Sequence, residues 1–126
     1  MNKNKSSKED TIFDYDAQND SLFVHTPGKK YKSSMEFGNI ILDVAEDNSV
    51  IGLEILSTSS VFGISKHDAR NVKSIETTIT ISQKSIDLEI HILILKRNSK
   101  VSRVALASEA NYMNLPAGSE LMAVSA

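Results

Sequence analysis

Residues 38–57, GNIILDVAEDNSVIGLEILS, constrain the fold more than any other stretch. Apolar runs of period two flank the polar cluster Glu46-Asp47-Asn48-Ser49, a pattern that predicts a β-hairpin. With that cluster as the loop, Val44 faces Ile51, Leu42 faces Leu53 and Ile40 faces Ile55 on one side of the pleat. Apolar cross-strand pairs of this kind stabilise a sheet by roughly 0.2–1 kcal/mol each. The opposite side sets Asp43 across from Gly52 and Glu54 across from Ile41. One face is for a core, and the other is mixed.

A second hairpin follows the same logic. Residues 72–81 and 86–95 flank Ser82-Gln83-Lys84-Ser85, which pairs Ile81 with Ile86, Ile79 with Leu88, Thr77 with Ile90 and Ile75 with Ile92. Its second strand ends in Ile90-His91-Ile92-Leu93-Ile94-Leu95, apolar on both faces, and such strands are normally covered on both sides. Leu93 and Leu95 point away from the core face and are the candidate interface residues. Either a second copy covers them, making a homodimer, or the C-terminal segment does so through Tyr112, Met113, Leu115 and Leu121.

Around these hairpins the chain reads in order. Residues 1–10 form a polar tail with nothing to bury. Residues 11–15 and 21–26 pair as short strands about Asp16-Ala17-Gln18-Asn19, placing Phe13 and Tyr15 on the face of Leu22 and Val24. Pro27-Gly28 ends that pair, and a loop carrying Lys29, Lys30 and Lys32 leads to the central hairpin. Ser65 is positioned to cap one short helical turn over residues 66–70. A last strand over residues 101–107 has Val101 and Val104 out of phase, which predicts a bulge near Ser102-Arg103. The expected fold is mainly β: about seven strands in antiparallel hairpins, forming a two-layer sandwich or curled roll. It is a single domain over residues 11–126, with segments 11–65 and 72–126.

Composition narrows the function by exclusion. A chain of 126 residues with net charge -2 has no global attraction to nucleic acid or an anionic membrane. It contains no cysteine, which removes disulfides, thiolate metal sites and cysteine nucleophiles. No apolar run has the length of a membrane span or a signal-peptide core, and the expected location is the cytoplasm.

The first half resembles a known family. Tyr15-Asp16 through Asp20 to Val24, the strand Ile40-Ile41-Leu42-Asp43-Val44 and the strand Ile51-Gly52-Leu53-Glu54-Ile55 are similar to domain-of-unknown-function family 2283, small β-rich prokaryotic proteins. The likeness covers roughly residues 11–65, and the compact members lack the C-terminal half. The resemblance implies an antiparallel meander with no known activity. Through some members it also implies a role as partner of a small toxin-like protein.

Few residues suggest chemistry. Asp43 and Glu54 share a strand face, diagonal to each other, and paired carboxylates can perform acid–base work; a polar sheet face is the plainer account. Asp14-x-Asp16-x-x-x-Asp20 opens like a calcium loop, but Asn19 and His25 stand where such a loop needs glycine and glutamate. His25, His67 and His91 lack the spacing that brings two imidazoles to one metal, and no metal or cofactor is expected. The glycines are isolated, and no serine lies in a nucleophile elbow. Lysines 29, 30 and 32, and the cluster Lys96-Arg97 with Lys100 and Arg103, read as solvated loops rather than a nucleic-acid surface. The expectation is a non-enzymatic interaction or regulatory module with a protein partner. The competing reading is a ligand-binding or hydrolytic protein using Asp43, Glu54 and a nearby histidine.

Overall fold

A computed structural model describes residues 10–125. The tail expected over residues 1–10 therefore lies outside the described residues, apart from Asp10. Nine strands among the described residues form two antiparallel sheets. The first sheet holds β1 (Ile12–Asp16), β2 (Ser21–His25), β3 (Tyr31–Phe37), β4 (Ile40–Ala45) and β5 (Val50–Ile55), in the spatial order β1-β2-β5-β4-β3. Two short helices, α1 (Thr58–Phe62) and α2 (Lys66–Ala69), lead to the second sheet. That sheet holds β6 (Val72–Ile81), β7 (Ser85–Lys96), β8 (Ser99–Ala110) and β9 (Gly118–Ser125), ordered β8-β7-β6-β9.

The two hairpin registers agree with the sequence pattern almost throughout. Leu42 pairs with Leu53, Ile40 with Ile55 and Asp43 with Gly52. Beyond Asp43 a bulge pairs Val44 with Val50 rather than with Ile51. The turn is tighter than expected because Asn48 adopts φ 70 and Asp47 accepts the Ser49 amide at 3.0 Å. The β6–β7 pairs Ile75–Ile92, Thr77–Ile90, Ile79–Leu88 and Ile81–Ile86 are those predicted.

Four expectations are corrected. Residues 31–37 are not a loop but strand β3, in which Met35 and Phe37 face the core. It is joined to β4 by Gly38-Asn39, with Gly38 at φ 65, and the lysine run at its start obscured the short alternation. The predicted bulge near Ser102-Arg103 is absent: β7 and β8 pair in unbroken register from Ser85–Ala110 to Lys96–Ser99. Val101 and Val104 lie on opposite faces of β8, so alternation continues through them. The tight Arg97-Asn98 turn, both residues at positive φ, starts that ladder in register. One helical turn becomes two helices, since Gly63 ends α1 at φ 65 and the Ser65 hydroxyl caps α2 by accepting the Asp68 amide. Finally, the first sheet is no simple meander, because β3, β4 and β5 fold back to place β5 beside β2 in Greek-key fashion.

The sheets close over one apolar cluster. Leu22, Met35, Leu42, Leu53 and Ile55 from the first sheet share it with Ile75, Ile79, Leu88, Ile90, Ile92 and Met122 from the second. Phe62 and Leu115 belong to the same cluster. Each fully buried side chain of this size contributes roughly 1.5–3 kcal/mol. The outer faces are left for function.

Candidate functional site

Strand pairing brings distant residues into rows across the outer face of the first sheet. One row runs Ile12, His25, Gly52, Asp43, Ser34, and the next runs Asp14, Phe23, Glu54, Ile41, Glu36. Asp43 and Glu54 are therefore diagonal neighbours, as the hairpin pattern requires. The β2–β5 pairing adds His25 on the far side of Gly52. Asp43 is half-buried, and its Oδ1 accepts a 2.6 Å hydrogen bond from the Ser34 hydroxyl, which also shares a 2.7 Å bond with Tyr31 Oη. This part of the sheet brings together an acid, an imidazole and two hydroxyls.

A second polar assembly sits at the end of the first hairpin. Tyr15 Oη donates to Asp20 Oδ1 at 2.6 Å, and the Ser59 hydroxyl donates to Asp20 Oδ2 at 2.7 Å. The Ser59 amide also reaches this carboxylate, at 3.1 Å. Burial and the bond to Asp20 push the Tyr15 phenol up to about 12. Burial acts to raise Asp20, but the bonds from Tyr15 and Ser59 outweigh it and hold the carboxyl below its usual value. Asp16 is held low mainly by the Asn19 side chain and amide. Of the calcium-like set, Asp16 is thus spent on its turn and Asp20 on Tyr15 and α1, while Asp14 lies exposed in the outer-face row of β1. Among the described residues no group of three acidic or histidine side chains is arranged to hold a metal.

The outer face of the second sheet is more apolar. Its rows are Leu106, Glu89, Thr78, Leu121, then Val104, His91, Glu76, Ala123, then Ser102, Leu93, Ser74, Ser125. Leu106 is 74% exposed, Val104 46% and Leu95 39%, while Leu93 is half-buried. Of the C-terminal residues expected as a cover, Leu115 is in the core, Tyr112 is exposed and Leu121 lies on β9, two strands from Leu93. His91 shares a 2.6 Å contact with Glu89, and His67 stands apart on α2. A cleft of about 510 Å³ lies elsewhere, between β1 and β9, and is lined by Phe13, Tyr15, Arg70, Lys73 and Val124 among others.

The family model described as "Protein of unknown function (DUF2283)" matches residues 12–59. Residues 12–59 of the chain belong to this family. The match coincides with the whole first sheet and ends on Ser59, the residue that ties α1 to Asp20. Tyr15, Asp16 and Asp20, all within the match, have a local structural use, in the Tyr15–Asp20 bond and the Asp16 turn. Sequence reading missed Ser59 and Ser34 as partners of these carboxylates, because no spacing rule links residues from separate strands and helices.

Relatives extend over both sheets. A protein of Methanosarcina mazei named "Putative hypoxanthine phosphoribosyltransferase" is 41% identical over 106 residues, covering 84% of this chain and 86% of its own. "Uncharacterized protein MJ0789" of Methanocaldococcus jannaschii is 31% identical over 106 residues, covering 83% and 91%. No solved structure matches the chain significantly. No helix among the described residues is long and apolar enough to cross a membrane.

Proposed function

We propose that this chain is a non-enzymatic protein-interaction module whose working surface is the outer face of the second sheet. The observation that carries this reading is the cluster of Leu93, Leu95, Val104 and Leu106 on that one face, with Leu106 74% exposed. These apolar side chains run diagonally from β7 onto β8, Leu95 and Leu93 to Val104 and Leu106, and an exposed apolar run of this kind is the usual mark of an interface. The proposed setting is cytoplasmic, with a protein partner and self-association through the same side of the molecule. Affinity capture tests it. The wild-type chain should retain a stoichiometric partner that a Leu93→Lys/Leu95→Lys variant, still folded by circular dichroism, loses. Equal retention by both sinks the assignment of the face.

A second reading has its own support in the row that joins His25, Gly52 and Asp43, with Glu54 adjacent. An imidazole and two carboxylates on one surface could bind a small polar ligand or assist hydrolysis. Turnover of an ester or phosphoester that disappears in both Asp43→Asn and Glu54→Gln would favour it over the first. The name carried by the Methanosarcina relative invites one further assay, phosphoribosyl transfer to hypoxanthine. The interaction reading expects no turnover there.

A further inference from the structure

Strand β8 is an open edge. It spans Ser99–Ala110, is the outermost strand of its sheet and pairs only with β7. The other edges are blunted: β1 has five residues, β3 is bulged beside Lys32, and β9 has Glu120 accepting the Val50 amide of the other sheet at 3.1 Å. β8 has no bulge and no proline, and the run from Val104 to Ala107 is uncharged. Long unblunted edges of this kind invite another strand.

Side chains already reveal which backbone groups face outward. The Arg103 guanidinium donates to the Ser102 carbonyl at 2.9 Å, and Glu109 Oε1 accepts the Ala110 amide at 3.3 Å. Those groups point away from β7, so by alternation Ser102, Val104, Leu106 and Ser108 present their amides and carbonyls to the open edge, and Ala110 its amide, the Ala110 carbonyl already accepting the Tyr112 amide at 2.9 Å.

We propose that β8 pairs antiparallel with β8 of a second copy about a two-fold axis through Leu106, fusing two sheets into one of eight strands. In this register Leu106 meets its own copy, and Val104 meets the partner's Ser108. Arg103 lies opposite the partner's Glu109 twice over. Ser102 lies opposite the partner's Ala110, so the two backbone groups now satisfied by Arg103 and Glu109 bond each other. The freed charges pair across the axis. Shifting the axis to Ala105 or Val104 loses the direct Arg103–Glu109 match, so charge complementarity selects this register. The inference rests on the interaction reading above and names its partner as this same chain.

Charge reversal, cysteine crosslinking and light scattering decide it. Wild-type protein at about 100 µM should be dimeric. Arg103→Glu and Glu109→Arg should each weaken the dimer about ten-fold or more, and the double reversal should restore it. The chain has no native cysteine, so a single Leu106→Cys should crosslink to its copy with a short bis-maleimide. Ser102→Cys should not, because the two copies of residue 102 would stand about 27 Å apart. A monomeric wild type, a dimer indifferent to both reversals, or equal crosslinking at 102 and 106 overturns the proposal. A dimer that ignores the reversals but dissociates with Leu93→Lys/Leu95→Lys also overturns it, while sparing the interaction reading. Edge pairing that survives while Leu93→Lys/Leu95→Lys loses no partner confirms the proposal and rejects the face.

Discussion

The Asp43 carboxylate lies over Gly52 on the neighbouring strand: a Cβ added at Gly52 would stand 2.9 Å from Asp43 Oδ2 and 3.3 Å from Asp43 Cβ. Gly52 is needed for space there and not for an unusual φ. It lets a half-buried acid lie flat on the sheet and receive the Ser34 hydroxyl. Gly52→Ala should therefore destabilise by about 1–2 kcal/mol, by displacing Asp43 from Ser34. The same change made in an Asp43→Ala background should cost distinctly less. Urea unfolding of the four-member cycle measures the difference, and equal costs would show that the two residues are not coupled.

Leu53 faces Leu42, and both are essentially inaccessible to solvent. Leu53→Asp should cost more than about 4 kcal/mol, since it buries an unpaired carboxylate and removes an apolar contact. Lys30→Asp, at an exposed position, should change the urea midpoint little. Comparable midpoints for the two variants would contradict the inner-face assignment.

Thr77 is buried between the sheets, and its hydroxyl has no hydrogen-bond partner. Thr77→Val keeps the shape and removes the unsatisfied group, so it should raise stability by about 1 kcal/mol. Thermal unfolding reads this directly. A lowered melting temperature would mean that the hydroxyl has a partner in solution.

The Tyr15–Asp20 bond should give stability a limb at each end of the pH scale. The folded state holds the Asp20 carboxyl low, so its contribution is present above the ordinary carboxyl value and is lost as pH falls through the folded value. Tyr15 is raised to about 12 from 10.0, so its contribution is full below pH 10 and disappears as pH rises through 12. Asp20→Asn should flatten the acid limb while keeping the backbone, because asparagine tolerates the φ of 53 found at this position. Tyr15→Phe should flatten the alkaline limb. Denaturation midpoints across pH, compared with wild type, test each limb separately.

Calcium and zinc should leave the melting temperature unchanged, because Asp16 and Asp20 already spend their oxygens on Asn19, Tyr15 and Ser59. A saturable upward shift with either ion would displace that account. Binding to generic single- or double-stranded nucleic acid should also be undetectable at moderate salt.

Much of the strand structure was legible in the sequence. The alternation in residues 40–44 and 51–55, and in 75–81 and 86–92, settles which side chains face inward, because a one-residue slip would turn every apolar side chain to water. The Ser65 cap and the pairing of Phe13 and Tyr15 with Val24 and Leu22 are equally local. The strands missed are those whose pairing is distant or weakly patterned. β9 reaches β6 across the whole of β7 and β8, and β3 begins with lysines.

The candidate surfaces were decided at a higher level. Asp43 and Glu54 share a face by hairpin periodicity, which the sequence by itself determined. His25 joins them only because β2 pairs with β5, a contact made by burying Leu22, Val24, Leu53 and Ile55 on the opposite side of the same sheet. Leu93 and Leu95 were marked by an apolar strand; that Leu106 and Val104 continue their patch, and that β8 ends its sheet, follows from the order of the strands. A period-two pattern specifies which way a residue points. Which strand lies beside it is selected by packing the two sheets over one core, and that information is spread over the whole chain.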